Sequence, residues 1–351
     1  MTLDGQARAG DIHVELSRAG TAWDLEEVGE AVTYLRSMQC ESYALKLLTA
    51  AGQLRPIAEI AMLTERLAES GQSHDATVVL RAAGIRRPTE VPLALVERLR
   101  ASGRRQDVRA VLAGAGAQRP VLLLDELLAM LEGRGYGDET RMALNATVSE
   151  RSHAEIRELI DLLDIADRTP QIQWILDRIA REWTSEQVAQ FVNELGPATR
   201  YAEVHTVLDI VARHTSVNAL LTLTEALRST GRGVSADHVF AAAGRHRSIQ
   251  DLMLIMRWCA QHEREVSLQV LFRGADEGGR RRFWKAVKVL QGQAQWFRID
   301  ANAMIQRAGI STEDLASTAV ETSPGVSAGG SEVALGRRTG NTESDAVVED
   351  R

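Results

Sequence analysis

The sequence predicts an all-α protein, a right-handed α-solenoid of about nine helix-turn-helix repeats of 32 residues each. Residues 57–88 and 89–120 follow the same order of helix, Gly-polar turn, helix, Ala-Gly, Arg and Pro. The same frame extends over residues 25–312 without an insertion. Aromatic residues make up only 4% of the chain while Leu and Ala dominate, and this composition favours helices over sheets.

The repeated unit reads as a helical hairpin. Counting Leu25, Ile57 and Thr89 as first residues, apolar positions 4, 7, 8 and 11 have the spacing of one helix face, and positions 20, 23, 24 and 27 repeat it. Position 11 holds Leu35, Leu67, Leu99, Leu131, Leu163, Leu195, Leu227 and Cys259. Because one hairpin cannot bury its apolar face alone, stacked neighbours are expected to build one continuous core.

Glycine and capping residues mark the ends of the predicted helices. Position 15, between the two helices, holds Gly71, Gly103, Gly135 and Gly231, where glycine supplies the positive φ that ends a helix. We expect the second helix to end in the same way at Gly52, Gly84, Gly116 and Gly244. Ser152 with Glu155, and Thr184 with Gln187, have the spacing of capping boxes at the start of later units.

The chain divides into three predicted parts. Residues 1–24 form an N-terminal tail and a half-repeat helix, which is either a dedicated cap or the remnant of an array that continued upstream. Residues 25–312 form the solenoid, and its last unit, 281–312, is polar enough to serve as a cap. Residues 313–351 lack periodicity and form a disordered acidic tail.

Charge and cysteine content limit the possible partners. The net charge is −7, and the two terminal parts carry all of it, so the array itself is neutral and nucleic acid is an improbable partner. The two cysteines show no metal or disulfide spacing, and no secretion signal or apolar run of membrane length occurs. These features predict a cytoplasmic protein without a membrane segment.

No catalytic or metal-binding constellation stands out. The GxSxG pattern at residues 325–329 lies in the tail, where no strand and helix can frame a nucleophile. The eight histidines form no HExxH motif or other metal spacing and are interpreted as surface or capping residues. We therefore predict a protein that is not an enzyme and has no cofactor or metal.

Three recurrent polar rows are the candidate functional residues. The edge arginines, in the turn between helices, are Arg104, Arg168, Arg200, Arg232 and Arg264. The junction arginines, between units, are Arg55, Arg87, Arg119, Arg151 and Arg247. Both rows either complement helix C-termini and keep the surface soluble, or form a charged strip for an acidic partner. The groove residues are Glu65, Glu97, Asp161, Asn193, Glu225 and Arg257, on the first helix, which usually lines the concave side of a hairpin solenoid.

The unit resembles tetratricopeptide and pentatricopeptide repeats. The residues that carry the resemblance are Leu99, Gly103-Arg104, Asp107-Val108 and Val111-Leu112, with Pro56, Pro88 and Pro120 at the closing proline position. The period of 32 differs from the tetratricopeptide period of 34, and the tetratricopeptide Trp and Tyr positions are empty. Units of this composition are also similar to divergent bacterial helical repeats.

The resemblance implies a binding function. A tetratricopeptide-like array implies a scaffold or adaptor that holds a protein or peptide partner in its groove. A pentatricopeptide-like array implies binding of single-stranded RNA, which needs a basic groove. Because the groove residues are acidic or mixed, we expect a non-enzymatic interaction scaffold, with RNA binding or an accessory subunit of a larger enzyme as alternatives.

Overall fold

The computed structural model describes residues 14–195, 200–262 and 264–279, together with the separate positions 285, 287, 288 and 292. Throughout these residues the regular structure is helical and no strand occurs. Successive helices pack against their neighbours along the chain, which confirms the all-α solenoid. Its right-handed sense stays a prediction. The tail 313–351 lies outside the described residues, as does the ninth unit apart from the separate positions.

The described chain consists of helix α1 (residues 14–22) followed by eight helical hairpins. The hairpins pair α2 (Leu25–Ser37) with α3 (Glu41–Leu54), α4 (Ile57–Glu69) with α5 (Ser73–Ile85), α6 (Glu90–Ala101) with α7 (Arg105–Gln118), α8 (Val121–Gly133) with α9 (Gly137–Glu150), α10 (His153–Ile165) with α11 (Thr169–Glu182), α12 (Ser185–Leu195) with α13 (Tyr201–His214), α14 (Val217–Ser229) with α15 (Gly233–His246), and α16 (Ile249–Gln261) with α17 (Glu265–Glu277). Each first helix begins within one residue of the predicted start of a unit.

Six of the eight hairpin turns contain a described residue with positive φ. Gly71, Gly103, Gly135 and Gly231 have φ between 72° and 80°, as predicted. At one of these turns the Gly103 N–H donates to the Arg100 carbonyl and the Arg104 N–H donates to the Leu99 carbonyl, both at 2.9 Å. This pair of bonds is a Schellman motif, which satisfies carbonyls at the end of the first helix.

Two of the later first helices begin with the predicted capping boxes. The Ser152 hydroxyl accepts from the Glu155 N–H at 3.4 Å, and the Glu155 carboxylate accepts from the Ser152 N–H at 3.2 Å. Thr184 and Gln187 exchange the equivalent bonds at 3.3 and 2.9 Å. Both pairs satisfy N–H groups that a helix cannot satisfy internally.

The position-11 residues lie in one continuous apolar core. Leu67, Leu99, Leu131, Leu163, Leu195 and Leu227 are each at most 3% exposed, and Cys259 is fully buried. They belong to a single cluster that extends from Ala19 to Val287. Stacking therefore buries the apolar faces of neighbouring hairpins together, as the repeat predicts.

The position-28 glycines have a different role from the one predicted. Gly52, Gly84, Gly116 and Gly244 lie inside second helices, and none of them has a positive φ. A Cβ added at any of them would stand 2.1–2.3 Å from a backbone carbonyl oxygen of the next second helix. The expectation that they end the second helix is wrong, because they instead allow second helices to approach backbone to backbone.

The second helices form the more closely packed of two rows. They pack against one another more extensively than most of the first helices do. Arg81 on α5 and Glu150 on α9 meet across the intervening α7, with 2.5 Å between Nη2 and Oε2. The exposed sides of α5, α7 and α9 therefore lie close enough together for side chains to meet across one unit. The expectation that the first helices line the concave side stays a prediction.

Candidate functional site

The edge arginines and the groove residues form contacts with each other. Three pairs join the two rows: Arg200 with Asp161, Arg232 with Asn193, and Arg264 with Glu225. In each pair the residues are 39 positions apart, so an edge arginine contacts the first helix of the preceding hairpin. The two surfaces predicted separately are thus one row of contacts between units.

The other two edge arginines make the same connection through different atoms. Arg104 donates to the Ala61 carbonyl at 2.9 Å and to the Thr64 hydroxyl at 2.8 Å. Arg168 donates to the Asp125 carbonyl at 3.2 Å, and its Nη2 lies 2.9 Å from the carboxylate of the same residue. Each of the five edge arginines therefore binds its hairpin turn to the first helix of the preceding hairpin.

Arg200 has the most strongly charged surroundings of these arginines. Burial alone would lower the pKa of Arg200, but hydrogen bonds to Glu203, Asp161 and Asp164 outweigh it and raise the pKa. The three carboxylates lie 2.5–2.9 Å from the guanidinium nitrogens. Because three carboxylates balance the positive charge of Arg200, this side chain attracts an acidic partner only weakly.

The remaining groove residues do not continue this row as one surface. Glu97 pairs with Arg134 of the next unit. Glu65 and Arg257 are exposed on α4 and α16, at opposite ends of the array.

Arg119 shows what the junction arginines do. It is fully buried and donates to the Gly84 carbonyl at 3.1 Å, the Leu123 carbonyl at 3.0 Å and the Thr89 hydroxyl at 2.9 Å. Burial lowers the pKa of Arg119, and the nearby carboxylates of Glu126 and Glu90 offset only part of this effect. The guanidinium is held by the Gly84 carbonyl at the C-terminus of α5, where positive charge is favoured, and by the Leu123 carbonyl in the first turn of α8.

The other junction residues repeat this contact. Arg55, Arg151 and Arg247 are at most 7% exposed. Each donates to the carbonyl 35 residues earlier, at Gly20, Gly116 and Ala212 respectively. Arg87 donates to the Gln53 carbonyl at 2.7 Å, and Trp183, at the same position of its unit, donates to the Val148 carbonyl at 3.1 Å. For the junction arginines these bonds confirm the interpretation that they complement helix C-termini.

We call the exposed side of α5, α7, α9 and α11 the inner face. It was not singled out from the sequence. On it the Arg141 guanidinium lies 4.9 Å from the centroid of the Trp174 ring, and Trp174 Nε1 donates to the Asn145 side chain at 3.2 Å. Arg105 and Arg109 are exposed on α7 beside them. These residues occupy positions 17, 21, 22 and 25 of their units, and among them only the arginine at position 21 occurs twice, so the repeat gave little signal for this face.

A second polar group on the same row joins α13 to α15. The ring centroids of His205 and His238 are 3.7 Å apart, and the Tyr201 ring lies 3.9 Å from His205. Asp209 Oδ1 lies 3.0 Å from His238 Nε2 and accepts from Arg245 at 3.3 Å. Burial lowers the pKa of both histidines, and His238 lowers that of His205 further. Their spacing of one repeat plus one residue could have indicated the pairing.

A cleft of about 830 Å³ lies between the first helices α2 and α4. Leu63 and Leu67, both buried, form its floor, and Glu26, Glu30 and Tyr34 stand exposed along α2. This cleft is on the opposite row from the inner face. No recurrent position in the sequence marks it, because it occurs between one pair of units.

Other chemistry-bearing groups of the described residues form no reactive site. Within those residues, no three His, Cys, Asp or Glu side chains are arranged to hold a metal ion. Burial raises the pKa of the Cys259 thiol to about 12, so this cysteine is not a thiolate at neutral pH. None of the described helices is long and apolar enough to cross a bilayer.

The fold and these contacts define a class of protein: an all-α helical-repeat array whose units are joined by arginines. No family model, no curated protein and no solved structure matches the sequence significantly.

Proposed function

We propose that this protein is a non-enzymatic scaffold, with tetratricopeptide-like units, that binds a segment of a partner protein on the inner face. Support comes from the stacked helical hairpins, because such arrays present one long surface to a partner. The groove residues are a poorer site than first expected, since Asp161, Asn193 and Glu225 already bind edge arginines.

The arrangement of Arg141, Trp174 and Asn145 is the observation that carries the proposal. The Trp174 ring is half-buried, held at its nitrogen by Asn145, and covered by the Arg141 guanidinium. Trp and Arg are the residue types that most often dominate binding energy at protein interfaces. Side chains already held in place lose less entropy on binding than mobile ones.

Single-stranded RNA is the second candidate, because arginines next to an aromatic ring also suit nucleic acid. The charge of the inner face favours a protein instead. Asp138 lies 3.5 Å from Arg105, and Asp177 lies 2.8 Å from Arg181. Carboxylates placed among the arginines would repel a phosphate backbone.

The test places a photo-crosslinking amino acid at Arg109 on the inner face or, as a control, at exposed Gln190 on the first helix α12. In an extract of the source organism we expect protein adducts from position 109 that an excess of the unmodified chain removes. Position 190 should give none. The captured protein is then purified, and we expect Trp174→Ala to weaken its binding at least about tenfold while Gln190→Ala leaves it unchanged.

Two outcomes would count against the proposal. Adducts that consist of RNA would assign the inner face to the second candidate. A captured protein that binds the Trp174→Ala variant as tightly as the wild type would show that the inner face is not its site.

A further inference from the structure

We propose a second docking site, separate from the inner face: the cleft between α2 and α4 binds an amphipathic helix with basic residues on its polar side. The cleft lies on the row of first helices, and the inner face lies on the row of second helices. A negative result at one site therefore does not count against the other site.

Gly29 creates the space for this helix. It lines the cleft, and a Cβ added to it would meet no atom within 4 Å. At the same position of other units, Ala61, Leu93, Ala189 and Leu221 are buried, whereas Arg157 is exposed. Because Gly29 has no side chain, the cleft is open at this position.

The size and floor of the cleft suit a helix. A helix about 10 Å across and two turns long has about the same volume as the 830 Å³ cleft. Tyr34, which is 65% exposed, and half-buried Leu25 supply the accessible apolar part of this floor, because Leu63 and Leu67 are themselves at most 2% exposed. An amphipathic helix would lay its apolar side on this floor, a common form of peptide recognition.

The charge around the cleft selects the polar side of the partner. Glu26 and Glu30, one turn apart, line one wall, and Arg66 is the one cation among the lining residues. Together α2 and α4 contain six glutamates against two arginines. One of those arginines, Arg36, is bound to Glu41 and Asp75. Lysines or arginines of a partner would therefore meet net negative charge here.

The test measures fluorescence anisotropy of a labelled amphipathic Leu/Lys peptide of roughly 15 residues, against a Leu/Glu peptide of the same apolar pattern. The full chain should bind the Leu/Lys peptide saturably and the Leu/Glu peptide at least about tenfold more weakly. Gly29→Leu should fill the cleft and weaken Leu/Lys binding at least about tenfold. Glu26→Gln with Glu30→Gln should weaken binding and reduce its dependence on salt.

Three controls accompany these variants. The Gly29→Leu variant should melt at or above the wild-type temperature, because leucine favours a helix more than glycine does. Gln190→Leu adds the same side chain to the exposed side of α12 and should leave peptide binding unchanged. Trp174→Ala should also leave it unchanged, which separates this site from the inner face.

Any of three results would overturn the proposal. Gly29→Leu could bind the Leu/Lys peptide as tightly as the wild type. The Leu/Glu peptide could bind equally well, which would remove the role of Glu26 and Glu30. The wild type could self-associate through a contact that Gly29→Leu abolishes and that the peptide cannot displace, which would assign the cleft to a second copy of the chain.

Discussion

At the scale of single residues, arginine has two opposite environments in this chain. Arg200 lies among three carboxylates, which raise its pKa, whereas Arg119 is buried among carbonyl dipoles and a hydroxyl, and its pKa is lowered. The first arginine binds a turn to the preceding unit through charge. The second satisfies the end of a helix and contacts no carboxylate of the described residues directly, so its hydrogen bonds must compensate for burial.

Replacing Arg119 tests this second role. Arg119→Leu would leave the Gly84 and Leu123 carbonyls without this donor, so we expect a loss of unfolding free energy on the order of 3 kcal/mol. Arg98→Leu, at an exposed position of α6, should change it by less than about 0.5 kcal/mol. Urea unfolding followed by circular dichroism measures both. Equal effects of the two variants would show that the Arg119 bonds contribute nothing of note.

The pair His205 and His238 makes stability depend on pH. Both pKa values lie below the ordinary 6.5, chiefly because of burial, so the unfolded chain takes up protons at a higher pH than the folded chain. The contribution of the pair is complete above the ordinary pKa and decreases as the pH falls below it. Asp209 favours the protonated forms and Arg245 opposes them, and burial outweighs Asp209.

We therefore expect the wild type to lose more stability between about pH 7 and about pH 5 than the His205→Gln/His238→Gln variant. Urea unfolding at both pH values gives the change in unfolding free energy of each protein. Subtracting the change of the variant from that of the wild type cancels every contribution that the two proteins share. A difference that stays constant with pH would contradict the prediction.

At the scale of helices, close approach of backbones determines how second helices pack. The position-28 glycines could be located from the sequence, but their role could not be. An Ala-Gly pair near the end of an apolar pattern is typical both of a helix stop and of a close helix crossing. The choice depends on what lies opposite, and at Gly84 this is the Val111 carbonyl of the next unit.

Gly84→Ala distinguishes the two roles. The added Cβ would stand 2.3 Å from the Val111 carbonyl oxygen, so α5 and α7 must move apart. We expect a loss of about 1–3 kcal/mol in unfolding free energy, although alanine is the better helix former. Gly29→Ala, where a Cβ meets no atom within 4 Å, should instead gain up to about 1 kcal/mol. Chemical denaturation of both variants is the measurement, and a stabilising Gly84→Ala would refute the role in close packing.

At the scale of the whole molecule, the repeat made the architecture predictable. Recurrent positions such as that of Leu163 identified hairpin boundaries and core residues from the sequence alone, because burial imposes one apolar pattern on every unit. The pairing of Arg200 with Asp161, and the crossing of Arg81 to Glu150, could not be read in this way. Those contacts depend on how one unit turns relative to the next, which a periodic pattern does not specify.

A charge in the core of a central unit should therefore disturb more than its own hairpin. Leu163 is fully buried, and Ile165, two residues later on α10, is 83% exposed. We expect Leu163→Asp to cost at least about 3 kcal/mol and Ile165→Asp less than about 0.5 kcal/mol. Thermal melts give the magnitudes, and hydrogen exchange should show lost protection in α8 and α12 as well as in α10. Melting of Leu163→Asp at the wild-type temperature would mean that this leucine is not interior.

The junction arginines also give the array a direction. A second helix has its terminal carbonyl satisfied by a donor that arrives 35 residues later, as with Gly84 and Arg119. During synthesis on the ribosome, the terminal carbonyl of a second helix therefore lacks this donor until the following hairpin has been made. Cutting the chain between two units leaves the helix-end carbonyls of one fragment without their donor and the junction arginine of the other fragment without its acceptor. Shortening from the two ends is therefore chemically unequal, and fragments that keep a helix together with its donor should survive best.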